Sequence, residues 1–373
     1  MKNRKSGNLS RVIVLILIAT VLICAVGFAA DGWQSSPTPE SGNTDTSSGD
    51  TDENTDGDKT GNTSEEAPKE PVIYIPKYTD PLTGLEVSEE IARAKHLAFV
   101  TENTPYLYGM SSASMVLEFP LEAGETRYLI YQSNATALGK IGSLAKARRY
   151  ITALADTLGG ITVSVGQDDP KEISGAEHTG EALDLSRSDS FAYTENTVYR
   201  YTNGDLITSA LSAAGISPLR SEEVTLPFSF YAHGKEPVAP VGTRAETVLL
   251  PYAQSNETEL YYDKETKSYA YSKCGSRKID TLNGKSITFT NVFVLFADAT
   301  TYEKADGTST VLDTQSAGTG YYISHGVKQE ITWRVTDGKM SFFNTEGEGL
   351  TVYRGSSYLS FFKSSMRRAV TLQ

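Results

Sequence analysis

At 373 residues the chain exceeds one ordinary domain, and its formal charge of −12 excludes the broad basic field that nucleic-acid binding needs. Its two cysteines, Cys24 and Cys274, lie in an apolar run and a predicted turn, so no disulfide between them is expected. The charge is uneven: four bases and no acid over residues 1–30, a net of −9 over Asp31–Glu70, and a net of −7 over residues 71–373.

Residues 1–11 hold Lys2, Arg4, Lys5 and Arg11, and Val12 to Ala30 then runs without a charge. About 19 residues at ~1.5 Å each span a hydrocarbon layer about 30 Å thick. The flanking bases orient residues 1–11 to the cytoplasm and Asp31 onward to the outside. The preferred reading is a transmembrane anchor over residues 12–30, giving a single-pass protein of the cell membrane. A signal peptide cut after Ala29, with a secreted product, and a lipid anchor on Cys24 are the alternatives. Ile23 stands where a lipid anchor wants a small residue. Residues 31–72 are too poor in apolar side chains to offset the entropy of ordering, and are expected to be a disordered acidic linker.

Asp80-Pro-Leu-Thr-Gly-Leu85 is a proline–glycine turn presenting two leucines to a core, and Ser88 caps a short helix from Glu89 to Ala94. Strands are predicted at Leu97–Thr101, Ala113–Phe119 and Thr126–Gln132, the second apolar except for Glu118. Ser143–Leu158 carries an apolar stripe at Leu144, Ala147, Ile151, Leu154 and Leu158, and reads as a helix stopped by Gly159-Gly160. Ile161–Val165 follows as a strand, and Asn203 caps a helix Asp205–Ala214 ended by Gly215. Strand, helix and strand in this spacing predict an α/β lobe with a mixed sheet over residues 73–225. From Leu226 the pattern turns to β. A hairpin joins Glu259–Tyr262 to Ser268–Ser272, Ser286–Phe296 is a long strand, and Gly320–Ser324 pairs with Glu330–Val335 across His325-Gly326. The expected fold class is α+β: an N-terminal α/β lobe, then a β-rich lobe over residues 226–373, with no internal repeat detected.

Gly139 and Gly142 loosen the backbone before the predicted helix start, where free N–H groups and the helix dipole attract negative charge. Lys140, Gly142, Ser143, Lys146, Arg148 and Arg127 form the candidate anion site, with Glu118, Glu122 and Tyr150 as supporting residues. The alternative is an ordinary capped helix in which Arg148 pairs with Glu118 or Glu122 and Glu118 is the buried partner of Arg127. Gly139-Lys-Ile-Gly142 lacks the spacing and the closing Lys-Ser/Thr of a P-loop. His96, His178, His233 and His325 show no metal-ligand spacing and read as turn or surface residues. No metal, cofactor or catalytic residue is assigned.

Asp80–Leu85, Glu122–Arg127, Ile141–Tyr150 and the tail positions Gly318, Gly320, Tyr322, Gly326 and Trp333 together resemble the YerB-like lipoprotein family of Gram-positive bacteria. The resemblance covers Asp80 to the C-terminus and implies a two-part domain in the cell envelope, but no settled activity. Where relatives read Ile-Gly-Pro-Val-Arg-Ser-Ala-Arg-Asp-Tyr, this chain has Ala145, Lys146 and Arg149 for the first Arg, the Ser and the Asp. Ser164 and Val198 stand near positions where relatives carry histidines, and Arg277-Lys-Ile-Asp280 replaces Pro-His-x-Asp. Any chemistry those groups perform in relatives is expected to be lost here. The reading is an extracytoplasmic envelope protein, held to the membrane by its N-terminal helix, that binds an anionic cell-wall polymer, a lipid-linked component or an envelope protein. A hydrolase or transferase acting on a wall polymer, with Glu118 as acid or base, is the alternative.

Overall fold

Asn291-Val-Phe-Val-Leu-Phe-Ala297 is buried at every residue, as is Ser357-Tyr-Leu-Ser-Phe-Phe362. Uninterrupted apolar strands of this kind need cover on both faces, and that requirement shapes the fold. The computed structural model describes residues 73–167, 180–195, 198–221, 223–237, 240–304 and 307–373. The predicted anchor at residues 12–30 and linker at 31–72 lie outside them. Among the described residues no helix is long and apolar enough to cross a membrane.

The main strands are, in chain order, β1 (His96–Glu102), β2 (Met115–Pro120), β3 (Thr126–Gln132), β4 (Gly160–Ser164), β5 (Ala182–Asp184), β6 (Thr243–Arg244) and β7 (Thr247–Ala253). They continue with β8 (Asn256–Asp263), β9 (Ser268–Lys273), β10 (Asn291–Ala297), β11 (Ala317–Ser324), β12 (Val327–Thr336), β13 (Lys339–Phe343) and β14 (Ser357–Lys363). An eleven-stranded sheet runs β6-β12-β11-β10-β14-β2-β3-β1-β4-β5, with β13 added to β12. A six-stranded sheet is built around β7, β8 and β9. The strand that closes the large sheet is β14, near the end of the chain, which lies parallel to both β10 and β2.

Alternation along the large sheet sends one set of side chains to each face. Val116, Tyr128, Val292 and Tyr358 meet Leu250, Leu260, Tyr269 and Tyr271 of the smaller sheet, while Phe119, Leu129, Phe293 and Phe361 pack with Ile151, Leu154 and Leu158 on the other side. Each such side chain, fully buried, contributes about 1.5–3 kcal/mol relative to exposure.

These observations correct the expected α+β class with its N-terminal α/β lobe: the protein is mostly β. Its α-helices among the described residues are α1 (Glu89–Arg93), α2 (Arg149–Thr157) and α3 (Gly204–Ala214), of five, nine and eleven residues. A strand–helix–strand pattern is present where α2 joins β3 to β4, which lies parallel to β1, but it forms one end of a much larger sheet. Local periodicity cannot report that β2 will pair with a strand from the far end of the chain.

Helix α2 begins at Arg149 and not at Ser143. Its would-be first turn is held laterally: Glu102 N–H donates to Ser143 O (2.9 Å), Leu144 N–H to Arg200 O (2.7 Å), Ala145 N–H to Val100 O (2.8 Å) and Ala147 N–H to Gly166 O (2.9 Å). Helix propensity in Ser-Leu-Ala-Lys-Ala is worth only tenths of a kcal/mol per residue and yields to these bonds. Helix α3 follows its sequence signals, with Asn203 Oδ1 accepting from Leu206 N–H (3.0 Å) and Gly215 left-handed at φ 67°.

Candidate functional site

The predicted basic cluster does not assemble around an open site. Arg148 is buried and makes a bidentate pair with Glu122, at 2.9 Å from Nη1 to Oε1 and 2.6 Å from Nη2 to Oε2. Glu122 also accepts from Thr310 N–H (2.6 Å) and Ser309 Oγ (3.0 Å). Burial would raise the Glu122 carboxyl, but the Arg148 hydrogen bond and the Thr310 amide outweigh it and hold the group at about 2. Lys140 pairs with Glu195 at 2.5 Å and sits over the rings of Tyr108 and Tyr201, 4.3 and 3.9 Å from their centroids. Arg127 Nη1 donates to the carbonyl of Lys146 (2.7 Å), whose own side chain is exposed. Gly142 pairs with Tyr201 in a two-residue strand, Ser143 is buried with Oγ 3.4 Å from Glu102, and Tyr150 is buried beside Phe119. The anion cradle is corrected on these grounds: its strongest member is neutralised by a carboxylate, and the helix tip lies six residues later than expected.

Glu118 does not pair with Arg127. In the β2–β3 ladder Glu118 faces Tyr128 and Arg127 faces Phe119, so the two side chains leave opposite faces of the sheet. The partner is Lys273, on β9 of the smaller sheet, whose Nζ lies 2.5 Å from Glu118 Oε1 and 2.7 Å from Asn256 Oδ1. Thr258 Oγ1 (2.9 Å) and Tyr358 OH donate to the other carboxylate oxygen. Glu118 is 0% exposed. Burial first, and the Glu118 charge second, push the hydroxyls of Tyr252, Tyr271 and Tyr358 well above their ordinary range, so they remain protonated donors. This network joins the two sheets, and Glu118 lines none of the cavities described below, which removes the geometric basis for acid–base catalysis by this residue.

A second buried network surrounds Asp80. Its Oδ1 accepts from Leu82 N–H (2.7 Å) and lies 3.3 Å from His96 Nε2, and its Oδ2 accepts from Ser114 Oγ (2.9 Å). A carboxylate only accepts, so Nε2 carries the hydrogen. His96, expected at a turn or surface, is 0% exposed. Burial would raise the Asp80 carboxyl, but its bonds from His96 and Ser114 prevail and set it at about 2. The folded values of Asp80 and Glu122 therefore lie below their unfolded ones. Their stabilisation is complete above the unfolded values and is lost as pH falls toward 2, Asp80 contributing on the order of 2 kcal/mol. Urea-unfolding free energy should fall between about pH 4.5 and 2, with a shallower slope in Asp80→Asn. A flat wild-type profile would contradict this.

The open site lies elsewhere. A cavity of about 540 Å³ sits between the C-terminal ends of the parallel strands β4 and β5, the segment before α2, and the last turns of α3. Carboxyl ends of parallel strands are where α/β layers commonly hold ligands. The volume falls in the range of small-molecule sites, and the walls are mainly apolar, including Leu183, Leu185, Phe191 and Ala210. Two hydroxyls line it: Thr162, 1% exposed and with no hydrogen-bond partner among the described residues, and Ser164, 6% exposed. The titratable residue in the lining is Asp184, whose Oδ1 accepts from Gly166 N–H, Ser186 N–H and Ser186 Oγ. Bases are absent from the described lining. Sequence reasoning passed over Thr162 because a threonine within an apolar strand carries no signal of its own. Ser164 was marked only by its departure from the family pattern. Among the described residues no three His, Cys, Asp or Glu side chains converge to hold a metal.

Comparison with known proteins agrees with the β-rich architecture. Residues 82–217 match the family described as "Protein of unknown function (DUF3048) N-terminal domain", and residues 248–359 its C-terminal domain. The "Putative lipoprotein YerB" of Bacillus subtilis (strain 168) is 28% identical over 279 residues, covering 71% of this chain and 80% of that protein. The crystal structure of YerB from Bacillus subtilis superposes with a TM-score of 0.68 at 22% identity, over 80% of this chain and all of the other. With both of its domains present in order, the chain belongs to the YerB-like DUF3048 family.

Proposed function

We propose that the chain is an extracytoplasmic binding protein of the cell envelope that holds a compact, mainly apolar molecule in the cavity at the ends of β4 and β5. The observation that supports this reading most is the unpartnered hydroxyl of Thr162, joined in the lining by that of Ser164, at an apolar cavity of about 540 Å³. A buried hydroxyl without a partner costs about 1–3 kcal/mol, and a ligand that hydrogen-bonds it recovers that cost. With an acid and no base in the described lining, the ligand's polar group is neutral or cationic, which moves the reading away from wall-polymer phosphates. A membrane-held, extracytoplasmic location is supported by the lipoprotein description of the Bacillus relative. Binding without catalysis is favoured over hydrolysis because the one buried carboxylate considered as an acid or base, Glu118, is tied to Lys273.

Thr162→Val tests the reading because it replaces the hydroxyl by a methyl of the same shape. The ligand-free variant should be as stable as wild type or more stable by about 1 kcal/mol in urea melts. Small molecules co-purified with the full chain from envelope extracts, identified by mass spectrometry, should be retained about tenfold less well. Ala182→Trp, at the exposed mouth, should abolish retention without unfolding the chain. Equal retention by wild type and both variants would refute the proposal.

A further inference from the structure

A second cleft, of about 460 Å³, opens at the opposite end of β4, beside the C-terminal turn of α2. An adjoining cleft of about 390 Å³ shares Arg220, Ser221, Glu223 and Val224 with it, so Arg220 lines both. The Arg220 backbone is fixed by a bond from its N–H to Arg93 O (2.9 Å), and the side chain is half-buried. Its guanidinium makes no hydrogen bond or ion pair with any described residue. Burial pushes it below its ordinary value, against the weaker pull of the Asp80 and Glu223 charges. A desolvated guanidinium with its planar fork unused is the group best suited to take a carboxylate in two parallel bonds.

The surroundings argue against a polyanion. The described lining holds three bases, Lys95, Arg220 and Lys339, against four acids, Asp156, Glu181, Glu223 and Asp337. Lys95 is already tied to Glu181 at 2.6 Å. Glu223 and Asp337 are exposed and stand in no ion pair among the described residues. The C-terminal end of α2 adds its partial negative charge on the same side. An inner cationic fork with outer carboxylates is complementary to a molecule bearing both charges.

We infer that this cleft binds a zwitterion, the free end of an amino acid or short peptide, with its carboxylate on Arg220 and its ammonium toward Glu223 and Asp337. The site is separate from the apolar cavity, so either can fail without the other.

Calorimetric titration of the full chain with the dipeptide alanyl-alanine should show binding. Its N-acetyl and C-amide forms, and inorganic phosphate, should bind at least about tenfold more weakly. Arg220→Gln should lose about tenfold in affinity with an unchanged melting temperature, and Arg220→Lys should recover part of it. The exposed pair Glu223→Gln/Asp337→Asn, which cannot disturb the core, should weaken the dipeptide but leave the N-acetyl form unaffected. Binding of phosphate or the N-acetyl form as tight as the dipeptide would overturn the assignment. So would unchanged affinity in Arg220→Gln, or no heat up to about 10 mM dipeptide.

Discussion

Lys273→Met should cost about 3–5 kcal/mol of stability, enough to leave a domain of ordinary stability close to unfolding. The substitution keeps the length of the side chain but removes the ammonium that lies 2.5 Å from Glu118. The carboxylate then stays in the core with Thr258 and Tyr358 as donors and no compensating charge. Glu118→Gln in the same chain should restore most of the loss. Its amide oxygen can still accept from both hydroxyls, and a buried pair replaced on both sides is often neutral. The measurement is a double-mutant cycle in urea. A loss under about 1 kcal/mol in Lys273→Met, or a double variant as weak as the single, would show that the pair does not join the sheets.

The parts of this fold readable in the sequence are those set by short-range pattern. The hairpins β8–β9 and β11–β12 pair as their alternation and turn residues require, and α3 starts and stops at its caps. What the pattern could not carry is partnership across the chain. Lys273 falls just beyond the predicted strand Ser268–Ser272, and only the packing of β9 over β2 places it beside Glu118. The helix signal over Ser143–Leu158 was correct for its second half and overridden in its first, where backbone groups of Val100, Gly166 and Arg200 claim the amides. The basic residues near that start drew attention because they were charged and close in sequence. Arg220, isolated in a loop, carries no such signal, although its half-buried guanidinium makes no ion pair among the described residues.

Asp280→Ala should destabilise the protein by at least about 3 kcal/mol, because it removes the acceptor for four donors at once. Asp280 is 0% exposed, and its carboxylate takes Gly109 N–H (3.1 Å), Ser111 N–H (2.8 Å), Ser111 Oγ (2.8 Å) and Leu282 N–H (2.9 Å). The turn it anchors repeats the one at Asp80. In Asp80-Pro-Leu-Thr-Gly84 and Asp280-Thr-Leu-Asn-Gly284 the glycine N–H donates to the aspartate carbonyl at 2.8 Å, with φ of 66° and 71°. In both, the aspartate Oδ1 accepts from the leucine N–H two residues on. Both aspartates also accept from one segment, Asp280 through Oδ1 from Gly109 and through Oδ2 from Ser111, and Asp80 through Oδ2 from Ser114. That segment leads directly into β2, which carries Glu118. The two turns thus fix the approach of β2 from either side, and loss of one releases a segment the other still holds. The cycle of Asp80→Asn with Asp280→Asn should therefore be non-additive by more than about 0.5 kcal/mol. In hydrogen exchange, the amides of Gly109 and Ser111 should lose protection in Asp280→Ala before those of β2 do. Protection at those amides equal to wild type, or additive losses in the cycle, would show that the turns act independently.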